Sequence, residues 1–372
     1  MITVSEILNK QELSKEDIIY LLSITSKEEH DALIKKAYSV KESYLGKNDY
    51  LRGLIELSNQ CKKNCLYCGI RAENSKVSRY SISDEEVLQV TEFALKNKFT
   101  GIVLQSGEQS NAHFTKRITE LIIKIKKITY PEFRITLSLG EQSFETYKEW
   151  FDAGAQRYLL RIESSGEELY NKIHPDNELH DYKTRLQCLE NIQKVGYQTG
   201  TGVMIGLPFQ TIENLADDLL FLKKMNIDMA GMGPYIEHTD TPLYKHKDLL
   251  LPILERFNLS LRMIAILRIM MPDINIVSTT ALQSIVPMGR ERGLKAGANV
   301  LMPNLTPGKY RSSYLLYENK ACIDEEADEC LDCLANRVKM IGEEIAYSED
   351  GDSKHFTLRN RISLEFNEKR LS

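Results

Sequence analysis

The sequence lacks the features that would place the chain in a membrane, outside the cell or on nucleic acid. Its longest apolar runs, residues 263–267 and 269–272, are separated by Arg268 and are too short to span a bilayer. No basic segment followed by an apolar core, as in a secretory signal, opens the chain. Lys and Arg are dispersed among acidic residues and the net charge is -5. We therefore expect a cytoplasmic protein with no nucleic-acid and no membrane partner.

Cysteine is scarce and unevenly distributed. Cys188 stands alone in a helical pattern, where a buried and inert thiol is expected. Two tight groups in a chain of 372 residues indicate metal ligands in a reducing compartment and not a disulfide framework. These groups are Cys61, Cys65 and Cys68, and Cys322, Cys330 and Cys333.

The first group has the spacing C-x3-C-x2-C at the end of an apolar, strand-like segment. Three thiolates in one loop can bind three corners of a cubane 4Fe-4S cluster, and no fourth Cys follows at comparable spacing. The fourth iron would be open to chelate a small molecule. A structural zinc knuckle or buried thiols are the alternatives. Zinc sites favour paired C-x2-C motifs or nearby His, and His is absent between Arg52 and Ala112.

Short apolar runs alternate with amphipathic helical segments from residue 51 onward. Eight such runs predict an α/β fold, a (β/α)8 TIM-type barrel, with an open doubly wound sheet as the alternative. The expected organisation is an N-terminal helical extension (1–50), a barrel (51–305) and a C-terminal extension (306–372). The runs are residues 51–57, 101–105, 134–139, 157–162, 199–205, 229–232, 274–278 and 299–302.

Polar motifs recur where the predicted strands end. The cysteine motif follows the first strand, Ser106-Gly107-Glu108 the second, and residues 139–141 the third, while Glu163 ends the fourth. Active sites of such barrels are built from the loops at the carboxyl ends of strands. One such motif alone would be read as a solvated loop or a glycine turn. Because all four motifs fall at the ends of predicted strands, we favour an active site over that reading.

Motifs along nearly the whole chain resemble the HydE family, radical S-adenosylmethionine (SAM) maturases of the [FeFe]-hydrogenase active site, within a group that includes biotin synthase and methylornithine synthase. The motifs are RGLIELSN (52–59), VLQSGE (103–108), TLSLGE (136–141), RYLLRIE (157–163), TGVMIGLP (201–208), GMGPYIEHTDTPL (231–243), STTA (278–281) and LMPNLTP (301–307). The resemblance implies that SAM binds the open iron of the cluster. It also implies reductive cleavage of SAM to methionine and a 5′-deoxyadenosyl radical.

The resemblance implies cofactor-binding roles for seven further residues. Tyr67 would present backbone groups to adenine, and Met204 would form a wall beside it. Ser106, Gly107 and Glu108 would receive the methionyl amino group. Glu163 would bind the ribose hydroxyls. Arg185 would pair with the SAM carboxylate, because its planar fork can form two parallel hydrogen bonds.

The resemblance extends to the substrate and the partners. A dry chamber lined on its far side by Thr279, Thr280, Met302 and Tyr310 would hold a cysteine-bound iron species carrying carbonyl and cyanide, a precursor of the diiron subcluster. A ferredoxin or flavodoxin would supply electrons, and other hydrogenase maturases are possible partners. Among the seven histidines only His238 is expected near the site, and a structural role for it is equally open.

The second cysteine group, with spacing C-x7-C-x2-C, resembles the accessory iron-sulfur site of some HydE proteins. It predicts a 2Fe-2S or 4Fe-4S cluster, with zinc completed by Asp or Glu as the alternative. A methylornithine synthase-like lysine mutase is not expected to carry this group. Biotin synthase needs cysteines within the strands, and the strands here have none. An iron-sulfur carrier would have no use for Glu163 and Arg185. A SAM methyltransferase is also disfavoured, because no glycine-rich loop follows a strand and opens a helix near the N-terminus.

Overall fold

The computed structural model describes residues 3–323 and 327–360, except for the side chains of residues 327–330 and 332. Its helices are α1 (Val4–Leu8), α2 (Lys15–Leu22), α3 (Lys27–Leu45), α4 (Asp84–Lys96), α5 (Ala112–Ile128), α6 (Phe144–Asp152), α7 (Glu167–Ile173), α8 (Tyr182–Val195), α9 (Ile212–Lys224), α10 (Ile253–Met270), α11 (Thr280–Ile285), α12 (Gly289–Lys295), α13 (Gly308–Arg311) and α14 (Ala327–Met340). Two 3-10 helices cover Glu178–His180 and Pro242–Leu249.

The strands are short and mostly buried. They are β1 (Asn48–Leu51), β2 (Gly53–Ser58), β3 (Gly101–Ser106), β4 (Arg134–Ser138), β5 (Arg157–Leu159), β6 (Gln198–Thr201), β7 (Met204–Ile205), β8 (Met229–Ala230), β9 (Gly233–Pro234), β10 (Asn275–Ile276), β11 (Val300–Leu301) and β12 (Glu344–Ile345).

Parallel strands close into a barrel in the described residues. Seven strands form one sheet in the order β10-β8-β6-β5-β4-β3-β2, and every pair in it is parallel. A parallel bridge from Val277 to Val300 joins β10 to β11, and β11 pairs with β1, which continues into β2 after Arg52. The predicted (β/α)8 barrel is confirmed, and the open sheet is wrong because β11 connects the two edges.

Local sequence signals account for several of the barrel elements. Ser83 and Glu86 form a reciprocal capping box at the start of α4. Gly196 ends α8 with a φ of 110°, a left-handed conformation that glycine adopts without steric cost. Helices α1, α2 and α3 precede the barrel, and α3 packs against α10 outside it. The first barrel strand begins at Asn48, earlier than the predicted boundary at residue 51.

A segment near the C-terminus seals the end of the barrel at which the strands begin. We call residues 349–353 the C-terminal plug. Its Asp352 pairs with Arg134 and Arg157, and the plug backbone at Gly351 accepts hydrogen bonds from Arg52 and Asn275. The opposite end, where the strands finish, is left for the loops that carry the polar motifs. No helix in the described ranges is long and apolar enough to cross a membrane.

Candidate active site

A cavity of about 360 Å³ lies where the barrel strands end. It is lined by residues from several strand-end loops, as the register of the polar motifs predicts. All but one of the predicted cluster, cofactor and substrate residues that precede the second cysteine group line it. These are Cys61, Cys65, Tyr67, Cys68, Ser106, Gly107, Glu108, Glu163, Arg185, Met204, Thr279, Thr280 and Met302.

The loop that follows β2, residues 59–69, is named here the cysteine loop. Backbone hydrogen bonds fix it to three separate parts of the fold. Lys62 N–H donates to the carbonyl of Glu108 (2.8 Å), Leu66 N–H to Ile173 (3.1 Å), and Gly69 N–H to Leu316 (3.0 Å). The loop is therefore held between the end of β3, the end of α7 and the segment after α13.

The three thiols of this loop are half-buried and line the cavity. Burial raises the pKa of all three, and that of Cys65 to about 12, so as free thiols they stay protonated. The N–H of Glu108 donates to Cys61 Sγ at 3.3 Å, a contact that favours a thiolate. Within the described residues no three His, Cys, Asp or Glu side chains converge to hold a single metal ion. In a cubane each thiolate binds a different iron, and Cys61, Cys65 and Cys68 line the same cavity.

A network of buried charges lies beside the cysteine loop. Lys63 Nζ is 2.6 Å from Glu141 Oε2 and 3.4 Å from Glu108 Oε1. Arg185 Nε is 2.7 Å from Glu141 Oε1. Burial raises the pKa of Glu108, with Glu141 adding to the shift, while Arg185 and Lys63 oppose it. Glu108 Oε1 is buried, and its ion-pair contacts are long, at 3.5 Å to Lys62 and 3.4 Å to Lys63. It accepts no hydrogen bond from the described residues, so it can still accept one from a cationic ligand group.

Glu163 occupies an unusual backbone conformation at the mouth of the barrel. Its φ is 65°, in the left-handed region that a non-glycine residue adopts only when its surroundings impose it. Its N–H donates to Gly202, and its carbonyl accepts from Met204, both at 3.0 Å. Its carboxylate pairs with Arg161 at 2.9 Å. These contacts aim the Glu163 side chain at the cavity that both Arg161 and Met204 also line.

Two histidines support the cysteine loop, and the sequence interpretation missed both. His174 Nδ1 lies 2.8 Å from the carbonyl of Tyr170, and its Nε2 is 3.3 Å from the Tyr67 hydroxyl. His180 Nε2 accepts from Asn64 N–H at 2.9 Å. Burial lowers the pKa of His174 to about 3 and that of His180 to about 4, so both are neutral near pH 7. Their neighbours in sequence carry no motif that would have indicated this role.

His238, the histidine expected near the site, packs behind the loop. Its Nδ1 accepts from the N–H of Asp240 at 3.1 Å, and its ring occupies the space beside Gly69, where a Cβ would lie 2.5 Å from the ring. It is not among the residues that line the cavity. The geometry therefore assigns His238 the structural role that the sequence left open.

One predicted substrate residue lies elsewhere. Tyr310 stacks on Tyr80 with ring centroids 4.8 Å apart, and its hydroxyl donates to Glu86 at 3.0 Å. It is not among the cavity-lining residues, so the structure does not bring it together with Thr279, Thr280 and Met302. Tyr314 lines the cavity instead, and its hydroxyl accepts from Gln105 Nε2 at 3.2 Å. Glu86 also belongs to the capping box at the start of α4.

The second cysteine group is described in part. Cys322 is half-buried, and Arg290 Nη2 lies 3.9 Å from its Sγ. Cys333 is exposed on α14. The side chain of Cys330 lies outside the described residues. Cys188, by contrast, is buried in α8 as expected, with its thiol 3.7 Å from the carbonyl of Gln142.

Comparison with known proteins identifies the family. Residues 55–222 match the Radical SAM superfamily. The chain is 42% identical over 337 residues to the [FeFe] hydrogenase maturase subunit HydE of Thermotoga maritima, an alignment that covers 91% of this chain and 93% of that protein. The chain belongs to the HydE family of radical SAM enzymes. This membership implies a 4Fe-4S cluster and SAM as cofactors, and the three cysteines of the cluster motif line the cavity.

Other relatives of this HydE-family chain share its fold. The 3-methylornithine synthase of Methanosarcina acetivorans is 28% identical over 344 residues, which cover 92% of this chain and 93% of that protein. The crystal structure of methylornithine synthase (PylB) matches with a TM-score of 0.77 at 23% identity, covering 93% of this chain and 97% of the other. The structural match supports the barrel.

Proposed function

We propose that this HydE-family enzyme acts in the maturation of an [FeFe]-hydrogenase, on a cysteine-bound iron species that carries carbonyl and cyanide. The observation that carries the proposal is the cavity itself, in which three thiols, a buried glutamate and a buried arginine line one space. The 42% identity to the Thermotoga maritima maturase extends over nearly the whole of both chains, which supports the same type of reaction.

In this proposal the cysteine loop holds the catalytic cluster. Cys61, Cys65 and Cys68 are its ligands, and Glu108 N–H donates to the sulfur of Cys61. When bound, the reduced 4Fe-4S cluster supplies the electron that cleaves the sulfonium of SAM to methionine and a 5′-deoxyadenosyl radical. The barrel contributes orientation and the exclusion of water. The position of the thiols inside a cavity fits that purpose, because a reactive radical must be kept from solvent.

The polar residues around the loop would each hold one part of SAM. Glu108 offers its buried Oε1 to the methionyl amino group, beside Ser106 and Gly107 at the end of β3. Arg185 pairs with the carboxylate, and Glu163 accepts from the ribose hydroxyls. Tyr67 and Met204 flank the adenine. These roles agree in charge, since the ammonium of SAM would meet a carboxylate and its carboxylate would meet a guanidinium.

The substrate would lie on the side of the cavity away from the thiols. In this proposal Thr279, Thr280 and Met302, which line the cavity, would face the substrate. Thr279 Oγ1 is buried without a hydrogen-bond partner among the described residues. An unpartnered hydroxyl suits a polar ligand such as a cyanide nitrogen or an amino-acid carboxylate. Reducing equivalents would come from a ferredoxin or flavodoxin, and other hydrogenase maturases would receive the product, all in the cytoplasm.

Cys322, Cys330 and Cys333 are proposed to hold an accessory iron-sulfur cluster. The Arg290 contact to Cys322 supports ligation there, because a nearby guanidinium stabilises a thiolate. The site is not proposed to take part in SAM cleavage, since none of its cysteines lines the central cavity. The organisation into an N-terminal extension, a barrel and a C-terminal extension is retained as part of the same proposal.

The test is anaerobic reconstitution with iron and sulfide, reduction with dithionite, and chromatography for 5′-deoxyadenosine. Cys65→Ala should abolish SAM cleavage, because the cluster loses one of three ligands. A Cys322→Ala/Cys330→Ala/Cys333→Ala variant should still cleave SAM while containing less iron. Wild-type protein that binds iron and never releases 5′-deoxyadenosine would instead support an iron-sulfur carrier.

A methylornithine synthase-like reaction is the second candidate, favoured by the shared barrel and the 28% identity. The two reactions are distinguished by supplying the reconstituted enzyme either with L-lysine or with a cysteine-bound iron complex carrying carbonyl and cyanide. Substrate-dependent consumption of the iron complex is expected. Formation of methylornithine from lysine would replace the maturase proposal.

A further inference from the structure

Glu141 joins the cysteine loop to helix α8. It is 8% exposed, and each of its carboxylate oxygens contacts a different cation. Oε2 lies 2.6 Å from Lys63 Nζ, in the loop between Cys61 and Cys65, and Oε1 lies 2.7 Å from Arg185 Nε. Lys63 lies in the loop after β2, Glu141 in the loop after β4, and Arg185 in α8. One carboxylate therefore connects elements that are far apart in sequence.

The Glu141 contact also determines how the Arg185 guanidinium is presented. Glu141 Oε1 pairs with Nε of the Arg185 guanidinium, and Nη1 of the same group donates to the carbonyl of Arg161 at 3.3 Å. An arginine side chain has many rotamers, and holding two sites of its fork leaves few of them. The guanidinium also interacts with the Tyr170 side chain, and Arg185 lines the cavity in which it would meet a ligand.

The Glu141 backbone is itself fixed by the neighbouring carboxylate. Glu141 N–H donates to Glu108 Oε2 at 2.9 Å. Gly140 makes this approach possible, because a Cβ there would lie 2.3 Å from the Glu108 carboxyl oxygen. The position of Glu141 therefore depends on Glu108, and the two residues hold Lys63 and Arg185 between them.

We propose that Glu141 is a positioning residue for SAM binding: its carboxylate orients Arg185 toward the SAM carboxylate. The proposal rests on the proposed role of Arg185 and deepens it. Glu141 itself does not touch SAM. Its effect on SAM affinity must therefore pass through Arg185, and removing Arg185 must remove most of it.

The experiment is a double-mutant cycle on the full-length, anaerobically reconstituted protein. SAM affinity is measured from the change that SAM causes in the electron paramagnetic resonance spectrum of the reduced cluster. Glu141→Gln should weaken SAM binding by about 10- to 100-fold, as expected for losing a contact between buried charged groups. In an Arg185→Gln background the same substitution should change SAM affinity less than about twofold, because coupled residues are not additive.

Controls separate positioning from general damage. Asp228→Asn removes a buried carboxylate paired with Arg359 at 2.8 Å, at the other end of the barrel, and should leave SAM affinity unchanged. Glu141→Asp keeps the charge and should bind SAM with an affinity between wild type and Glu141→Gln. It also serves as the test variant if Glu141→Gln fails to fold, which thermal unfolding would reveal.

The outcomes distinguish the two proposals. Wild-type protein whose reduced cluster shows no spectral response to SAM would overturn the proposed function. If wild type responds, equal affinities of wild type, Glu141→Gln and Glu141→Asp would overturn the positioning role. So would a loss from Glu141→Gln that is as large in the Arg185→Gln background, because Glu141 would then act independently of Arg185.

Discussion

At the residue scale, Gly107 sets how closely β3 approaches the cysteine loop. A Cβ at this position would lie 2.3 Å from the carbonyl oxygen of Gln60 and 2.8 Å from Cys61 Cβ. Both neighbours belong to the loop, and a backbone oxygen cannot move without moving the chain. The glycine is needed here for close packing and not for an unusual backbone angle, since Gly107 is not among the residues with positive φ.

Gly107→Ala should therefore displace the loop that carries the thiols. A shift of this size should lower SAM cleavage by about 100-fold, as misplacement near 1 Å does in other active sites. The measurement is 5′-deoxyadenosine formed per bound iron after reconstitution. Gly166→Ala is the matched control, because a Cβ at Gly166 meets nothing within 4 Å, and its activity should equal that of wild type.

At the scale of elements, α7 supports the cysteine loop through its last residues. Ile173 accepts a backbone hydrogen bond from Leu66, and His174, which caps the helix, contacts the Tyr67 hydroxyl. His174 also stacks on Tyr170, with ring centroids 4.0 Å apart. The imidazole must be neutral for Nε2 to accept from Tyr67 while Nδ1 donates to Tyr170.

This neutral histidine predicts a loss of stability in mild acid. The pKa of His174 is lowered by burial to about 3, so between that value and the unfolded pKa near 6.5 the unfolded chain binds the proton and the folded chain does not. Stability from this group is full above pH 6.5 and falls as pH drops. From pH 7 to 5, its loss should be about 2 kcal/mol.

Urea unfolding of the protein without added iron at pH 7 and pH 5 provides the measurement. His174→Phe keeps a ring beside Tyr170 and removes the titration, so its unfolding free energy should fall by about 2 kcal/mol less than that of wild type over the same interval. An identical pH dependence in the two proteins would show that His174 is protonated in the folded state.

At the scale of the whole molecule, the C-terminal plug closes the end of the barrel opposite the cavity. Asp352 pairs with Arg134 and with Arg157, whose side chain is 1% exposed, and Gln198 Nε2 donates to the same carboxylate at 2.6 Å. These partners lie on β4, β5 and β6, so a single residue joins neighbouring strands to the distant C-terminal extension.

Asp352→Ala should destabilise the fold strongly, because it leaves the Arg157 guanidinium buried with one fewer carboxylate. Breaking a buried pair in this way typically costs about 3–5 kcal/mol. Thermal or urea unfolding would measure it. Asp152→Ala removes an exposed pair with Lys148 and should cost less than about 1 kcal/mol. Similar losses in both variants would mean that the plug adds little to barrel stability.

The sequence by itself determined the barrel, the cysteine loop and the strand-end positions of Ser106, Glu108 and Glu163. Alternating strands and helices predict a parallel sheet, and in a parallel barrel all strands finish at one end. Residues that follow successive strands must then meet there, whatever the details of packing. The cysteine loop could be predicted from the spacing of its three cysteines alone.

The tertiary structure alone decided which side chains contact one another around that loop. Glu141 pairs with Lys63 and Arg185, and His174 contacts Tyr67, across separations of more than forty residues. Tyr310 stacks on Tyr80 and donates a hydrogen bond to Glu86. Such contacts depend on side-chain rotamers and on how neighbouring helices pack against the strands. Local sequence patterns specify neither the rotamers nor the helix packing, because they record only the residues that are adjacent along the chain.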